Sequence, residues 1–246
     1  MLVGTADPNL LAEGAPTLVD FGAEPLTLSG VETLQIVSEI EREGADGLLP
    51  PGLHPTLPPI ATWLVQRISE SPWGAFHLAQ CRIECRSGLR PRGFLRSGVI
   101  DSPAAGAELG ARWGYRLIPG EIRLGRGYDR IEASVSLQGR SILDVALQDP
   151  MPLRPEDAYT VSNMHLAHTP RGLRLLQVDP QFEVERAERG RPLIRHFDAG
   201  AWRSQAVQPC SPVSALFTLA RVTLPRLRYA CRPEVLAFEG TERVDT

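Results

Sequence analysis

The 246-residue sequence contains no lysine; all 26 of its basic residues are arginine. A coding bias toward arginine is the simplest cause, but the chemical consequence does not depend on it. No side-chain amine is present to form a Schiff base, hold a pyridoxal cofactor or act as a P-loop lysine. Other shortages exclude other classes. A net charge of −3 gives no strongly basic face for nucleic acid. No stretch approaches the ~18 uninterrupted apolar residues of a membrane-spanning helix. The opening MLVGTADPNLLAEG has neither the basic start nor the apolar run of a signal peptide. The expectation is a cytoplasmic protein with no membrane or nucleic-acid partner.

The four cysteines, Cys81, Cys85, Cys210 and Cys231, form no C-x-x-C pair and read as reduced structural thiols. His165 and His168 are three apart, which on a strand puts them on opposite faces, and no third ligand stands out. No metal and no cofactor are therefore expected. Gly125-Arg126-Gly127 lacks the strand–helix context of a dinucleotide loop, and no serine sits in an elbow motif.

What is present is turn-rich: Gly 22 and Pro 22. The length admits one large or two small domains. Residues 1–28 show no period and read as an N-terminal arm, leaving 29–246 as a single domain. Strands are expected at Thr33–Ile40, Ile60–Ile68, Ala75–Cys85, Arg130–Leu137, Ser141–Leu147, Tyr159–Leu166, Leu173–Val178, Phe182–Arg186 and Leu216–Leu224. Gln138-Gly139 reads as a tight turn, as do the segments Thr169–Gly172 and Glu188–Pro192. Between Gly44 and Pro59 the run GLLPPGLHPTLPP excludes regular helix and interior strand. One helix has clear signals: Asp101 or Ser102 as cap, Pro103 in the first turn, AAGAELGAR as body, and a stop near Trp113-Gly114. Short strands with one clear helix indicate a mostly β barrel or cone rather than a βαβ array.

Val99–Ile122, VIDSPAAGAELGARWGYRLIPGEI, resembles the acetoacetate decarboxylase family. That family has an aspartate, an Ala-rich helix ending near W-G, then Y/F-P-K-K, a glycine and a strand. Asp101, the helix, Trp113, Gly114 and Tyr115 match, and the proline-rich GLLPPGLHPTLPP and Leu224-Pro225-Arg226 echo further family segments. The resemblance implies a mostly β (α+β) fold: a large antiparallel β-barrel or cone of the acetoacetate decarboxylase type, with few short helices and a closed apolar pocket. It also implies self-association into a homo-oligomer. Family members commonly act on small oxo-acids through a pocket lysine whose pKa is depressed by a neighbouring lysine and by desolvation.

This chain departs from that pattern. Leu117 falls at the Schiff-base position and Ile118 at its pKa-lowering neighbour. The family's pocket arginine falls near Val31, one glutamate at Leu78, and another at or beside Trp63 or Leu64. Val31, Trp63, Leu64, Phe76, Leu78, Leu117 and Ile118 are the expected apolar substrate wall. If Leu78 faces the pocket, strand parity puts Phe76, Gln80 and Arg82 on its side and turns His77 outward. Tyr115, Arg116, Gln80 and Glu121 are the candidates for chemistry: Tyr115 as proton donor, Arg116 as holder of an anionic or carbonyl oxygen, Gln80 as polarising amide, Glu121 as a base if desolvated. Each also has a plainer reading, as packing, surface charge or a satisfied amide. The arginines among 186–195, interleaved with glutamates, read as a solvated face.

Three functions compete. A cofactor-free lyase, cyclase or isomerase acting on a small apolar carbonyl metabolite of polyketide type fits a remodelled pocket, with no acetoacetate decarboxylase activity by the family mechanism. A non-catalytic binding protein would need only the apolar pocket. A structural partner subunit would show a filled pocket and an exposed apolar patch.

Overall fold

Alternation with a period of two dominates the chain and builds one sheet. The computed structural model describes residues 2–245. In chain order the elements are α1 (Pro8–Leu11), β1 (Leu26–Ile40), β2 (His54–Pro55), β3 (Ile60–Glu70), β4 (Phe76–Ser87), β5 (Arg90–Ile100), α2 (Pro103–Trp113), β6 (Leu117–Pro119), β7 (Glu121–Arg126), β8 (Arg130–Leu137), β9 (Arg140–Leu153), β10 (Asn163–Thr169), β11 (Gly172–Val178), β12 (Gln181–Phe197), β13 (Pro209–Leu224), β14 (Tyr229–Cys231), α3 (Ala237–Gly240) and β15 (Thr241–Arg243). The main path of the sheet runs β15-β14-β11-β10-β5-β4-β3-β1-β13-β12-β9-β8-β7, with β2 beside β4 and β6 beside β5. The sheet is mixed: β10 and β6 each run parallel to β5, and the other ladders are antiparallel. It curls far enough to bring β7, at one end of the path, back against β3, β4 and β5.

The two faces of β3 and β4 pack against different cores. Trp63, Val65, Ala79, Cys81 and Cys85 join the larger cluster with Ile131, Val145 and Trp202. Ile68, Phe76 and Leu78 join a second cluster with α2, through Leu109 and Trp113. Each buried leucine or isoleucine contributes about 1.5–3 kcal/mol by leaving water.

Several sequence expectations need correction. The expected turn at Glu188–Pro192 is the middle of β12. The strand bulges between Arg189 and Arg191 against β9 instead of turning, so its charged residues sit on a long half-exposed ribbon. Residues 159–162 lie outside β10, which starts at Asn163. The strands β5 and β7 were not foreseen, because arginine and glycine interrupt their apolar pattern. The lead-in is docked rather than loose. Leu11 and Leu18 are buried, Leu18 N–H donates to the His168 carbonyl at 2.8 Å, and His168 N–H donates to that of Pro16 at 2.9 Å.

Helix α2 forms as its sequence indicates. The Ser102 hydroxyl accepts from Ala105 N–H at 3.4 Å, Pro103 opens the first turn, and Gly114 closes the helix in the left-handed region at φ 71°. A β-carbon on Gly114 would meet Leu176 Cδ1 at 2.7 Å. Gly114→Ala therefore combines a backbone penalty with a steric one, and we expect a loss of about 2 kcal/mol in urea denaturation. An unchanged midpoint would show that the helix end is not fixed by this contact.

Candidate functional site

A small cavity, about 40 Å³ in volume, lies on the α2 side of β3 and β4. Its walls follow strand parity. β4 contributes Leu78, Gln80 and Arg82; β3 contributes Leu64, Gln66 and Ile68; β1 contributes Leu28 and Val31; β13 contributes Val222 and Leu224. Leu109 of α2 and Tyr115, just beyond the helix, close one side, and the irregular Thr160–Val161 and Asn163 close another.

The polar groups form two sets. One is a row of amides: Gln80 Nε2 donates to Gln66 Oε1 at 3.2 Å, and Gln66 Nε2 donates to Thr33 Oγ1 at 3.1 Å. This row fixes both glutamines but leaves Gln80 Oε1 buried without a donor. The other set surrounds Arg82. Its Nη1 donates to the Val161 carbonyl at 3.2 Å and to Asn163 Oδ1, while its Nε is buried without a partner. Tyr115 stands at the same end of the cavity, and burial pushes the pKa of its hydroxyl up to about 12, so it is a neutral donor at physiological pH.

His165 lies two residues beyond Asn163 on β10, and its ring packs edge-on to Tyr115 with centroids 4.3 Å apart. Nδ1 lies 2.7 Å from the Trp113 carbonyl oxygen. A carbonyl only accepts, so Nδ1 carries the proton and the buried Nε2 presents a bare lone pair. Burial, outweighing the Trp113 bond and reinforced by the Arg82 charge, lowers the His165 pKa to about 4.

The expected site residues therefore divide. Tyr115, Gln80, Val31, Leu64 and Leu78 line the cavity. Trp63 does not: odd-numbered β3 residues face the larger core, where its ring sits 5.0 Å from that of Phe197. Phe76 is buried beside Trp73 beyond the cavity end. Arg116 points away from Tyr115 toward the lead-in, where its guanidinium donates to the carbonyls of Leu11 (2.8 Å) and Glu13. Leu117 borders a separate groove together with Arg116 and Tyr115, its Cδ2 lying over Gly98, and Ile118 faces the larger core. Glu121 is exposed at the start of β7. His165 and His168 do face apart, the first buried and the second exposed. Arg82, Asn163, Gln66 and His165 were not singled out as site residues. Parity did put Arg82 beside Gln80, but an arginine in a strand reads as solvated; His165 was weighed only as a metal ligand with His168, and nothing in the sequence marked Asn163 or Gln66.

A largely apolar cavity with a few fixed polar groups thus sits inside a curled, large mixed β sheet. The chain belongs to the acetoacetate decarboxylase (ADC) family, whose model matches residues 14–188. Among solved structures it is similar to the acetoacetate decarboxylase of Legionella pneumophila subsp. pneumophila str. Philadelphia 1, at 18% identity over 83% of this chain and 86% of that one (TM-score 0.73). It is also similar to the enduracididine biosynthesis enzyme MppR with HEPES buffer bound, at 17% identity over 85% and 88% of the two chains (TM-score 0.70). A third likeness is an acetoacetate decarboxylase-like enzyme from Sphingomonas wittichii RW1, at 15% identity over 83% and 92% (TM-score 0.67). These likenesses show the fold. No curated protein matches the chain.

The His165 shift has a measurable consequence. Between about pH 6.5 and pH 4 the unfolded imidazole takes a proton that the folded one refuses. The stability this group confers is complete above pH 6.5 and is lost as pH falls toward 4, amounting to roughly 3 kcal/mol. His165→Asn keeps a donor for the Trp113 carbonyl and removes the titration. Its stability, measured by urea denaturation, should fall less than wild type between pH 7 and pH 5; parallel pH profiles would refute the assignment.

Proposed function

We propose that this protein is a cofactor-free lyase, cyclase or isomerase that acts on a small, largely apolar carbonyl metabolite. One observation carries this reading: the cavity is lined by apolar walls and fixed hydrogen-bonding groups, and no amine or carboxylate is among its lining residues. With no lysine in the sequence, the imine chemistry of the family is not open to a side chain. The apolar walls select the reactive conformer by shape. Tyr115 donates to the substrate carbonyl and strengthens that bond as negative charge develops on the oxygen. Its high pKa suits this role, because the phenol holds its proton while polarising. Gln80 Oε1, lacking a donor, takes a hydroxyl or N–H of the substrate. Arg116 and Glu121, off the cavity, take no part in the step. The fold neighbour MppR gives indirect support, having been observed complexed with pyruvate and with the condensation product of pyruvate and imidazole 4-carboxaldehyde. We further propose a single domain over 29–246, a cytoplasmic location and homo-oligomer formation.

Native mass spectrometry of the freshly purified protein should reveal a retained carbonyl compound, and chromatography after release should show it chemically changed. Tyr115→Phe should slow that conversion about 100-fold with folding intact. Conversion at the wild-type rate would remove Tyr115 from the mechanism, and a compound released unchanged would instead favour a binding protein. Borohydride with pyruvate or acetoacetate should add no mass to any side chain, and acetoacetate should be decarboxylated no faster than in buffer. An imine adduct on a side chain would contradict the proposal.

A further inference from the structure

Arg82 is the least expected charge in the molecule. It is 3% exposed on the wall of an apolar cavity. Among the described residues it forms no ion pair with a carboxylate. Glu84, two residues further along β4, contributes only a field. Both hydrogen bonds to the protein leave from Nη1, and Nε has no partner. Burying a guanidinium without a counter-ion costs several kcal/mol unless something compensates it. The strands are built to accommodate it nonetheless. Gly93, paired with both Glu84 and Asn163, lies directly under the guanidinium; a β-carbon there would meet Arg82 Nε at 3.0 Å and Cζ at 3.3 Å. The neighbouring Arg92 also has a buried Nε without a partner, but it is paired with the carboxylate of Asp179 and bonded to Gln177, so what sets Arg82 apart is the missing counter-ion.

We propose that Arg82 is an anion-binding residue of this cavity, and that the ligand is a monocarboxylate with an apolar body, its carboxylate on the guanidinium and its hydrocarbon against Leu64, Ile68, Leu78 and Val222. The inference rests on the reading that this cavity is the functional site and narrows the ligand class that site takes. A planar guanidinium matches a carboxylate in charge and geometry. A doubly charged phosphate or a dicarboxylate would bury a second charge with no partner, because Arg82 is the only charged residue among those lining the cavity. A compact oxo-acid such as pyruvate would leave the apolar walls uncovered, so the body of the ligand matters as much as its charge.

The test is calorimetric titration of the full chain with hexanoate, its uncharged counterpart hexanamide, and pyruvate. Wild type should prefer hexanoate over hexanamide by about tenfold or more, and over pyruvate. Arg82→Met, close in volume, should reduce the hexanoate preference to under about twofold while leaving hexanamide binding in place. Equal binding of hexanoate and hexanamide by wild type would overturn the proposal, a measurement independent of whether any variant folds. Retention of the full preference by Arg82→Met would overturn it too, assigning Arg82 a structural role in holding Val161 and Asn163. Failure of the enzymatic reading has a different signature: hexanoate preference with no conversion of the retained compound leaves the anion site standing and removes only the catalysis.

Discussion

The cavity depends on how one short helix ends. Helix α2 terminates at Trp113, whose carbonyl would be orphaned in an apolar cluster without the Nδ1–H of His165. Gly114 then takes the left-handed turn that only a residue without a side chain fits between Leu176, Ala167 and His165. These two contacts tie the helix to β10, so the chain leaves the turn with Tyr115 aimed into the cavity. The Trp113 indole adds a third tie, donating to the Pro225 carbonyl at 2.8 Å just past β13. The helix end that carries Tyr115 is thus held by packing at Gly114 and by two side-chain hydrogen bonds at Trp113, and the phenol ring packs on His165, so its position is set before any ligand arrives. Preorganisation of this kind is what makes a lone hydrogen-bond donor effective in a water-poor site.

The same turn divides the residues after it. Tyr115 borders both the cavity and the groove, Arg116 and Leu117 border the groove, with the Arg116 guanidinium reaching to the lead-in, and Ile118 goes to the larger core. Arg116 and Arg203 both donate to the Glu13 carbonyl, so the stretch after α1 is strapped across the outside of the turn. The crowding of Arg203 and Arg96, added to burial, lowers the Arg116 pKa to about 10, still far above neutrality, so the strap stays charged. The lead-in is in this sense part of the scaffold: it supplies backbone carbonyls to two arginines that have turned away from the cavity.

How much of this could be read from the sequence depended on the kind of signal. Alternation in Phe76–Cys85 correctly placed Leu78, Gln80 and Arg82 on one face, because the side-chain period in a strand is fixed by backbone geometry. The α2 segment was legible, with its cap left between Asp101 and Ser102, since capping and helix-stop signals are local. Glu188–Pro192 misled because Gly and Pro usually punctuate a chain; here Gly190 sits mid-strand against Gln148 and Leu147, where a β-carbon would not fit. Arg82 was on the correct face yet assigned no role, because the fate of a strand arginine is decided by its neighbours across the sheet. Its depends on Gly93, Asn163 and Val161, which are 11 to 81 residues away in the chain. Asn163 and His165 come from β10, whose parallel pairing with β5 no local pattern encodes.

The absence of lysine and the presence of Arg82 bear on the same question from opposite sides. A buried lysine sheds its proton readily and so can become a nucleophile or base; a guanidinium keeps its charge even when desolvated. Burial lowers the Arg82 pKa, and as a guanidinium it offers donors only, with no lone pair to accept a proton while charged. A cavity whose charged group is an arginine can therefore neutralise and orient an anion, but the group that moves a proton must be another one. The cavity presents a phenol that holds its proton, Tyr115, and the imidazole of His165 is buried behind it, packed edge-on to the phenol ring. In this cavity the charge and the neutral hydroxyl donor thus belong to different side chains, Arg82 and Tyr115, where a lysine would have carried both a charge and a proton it can give up.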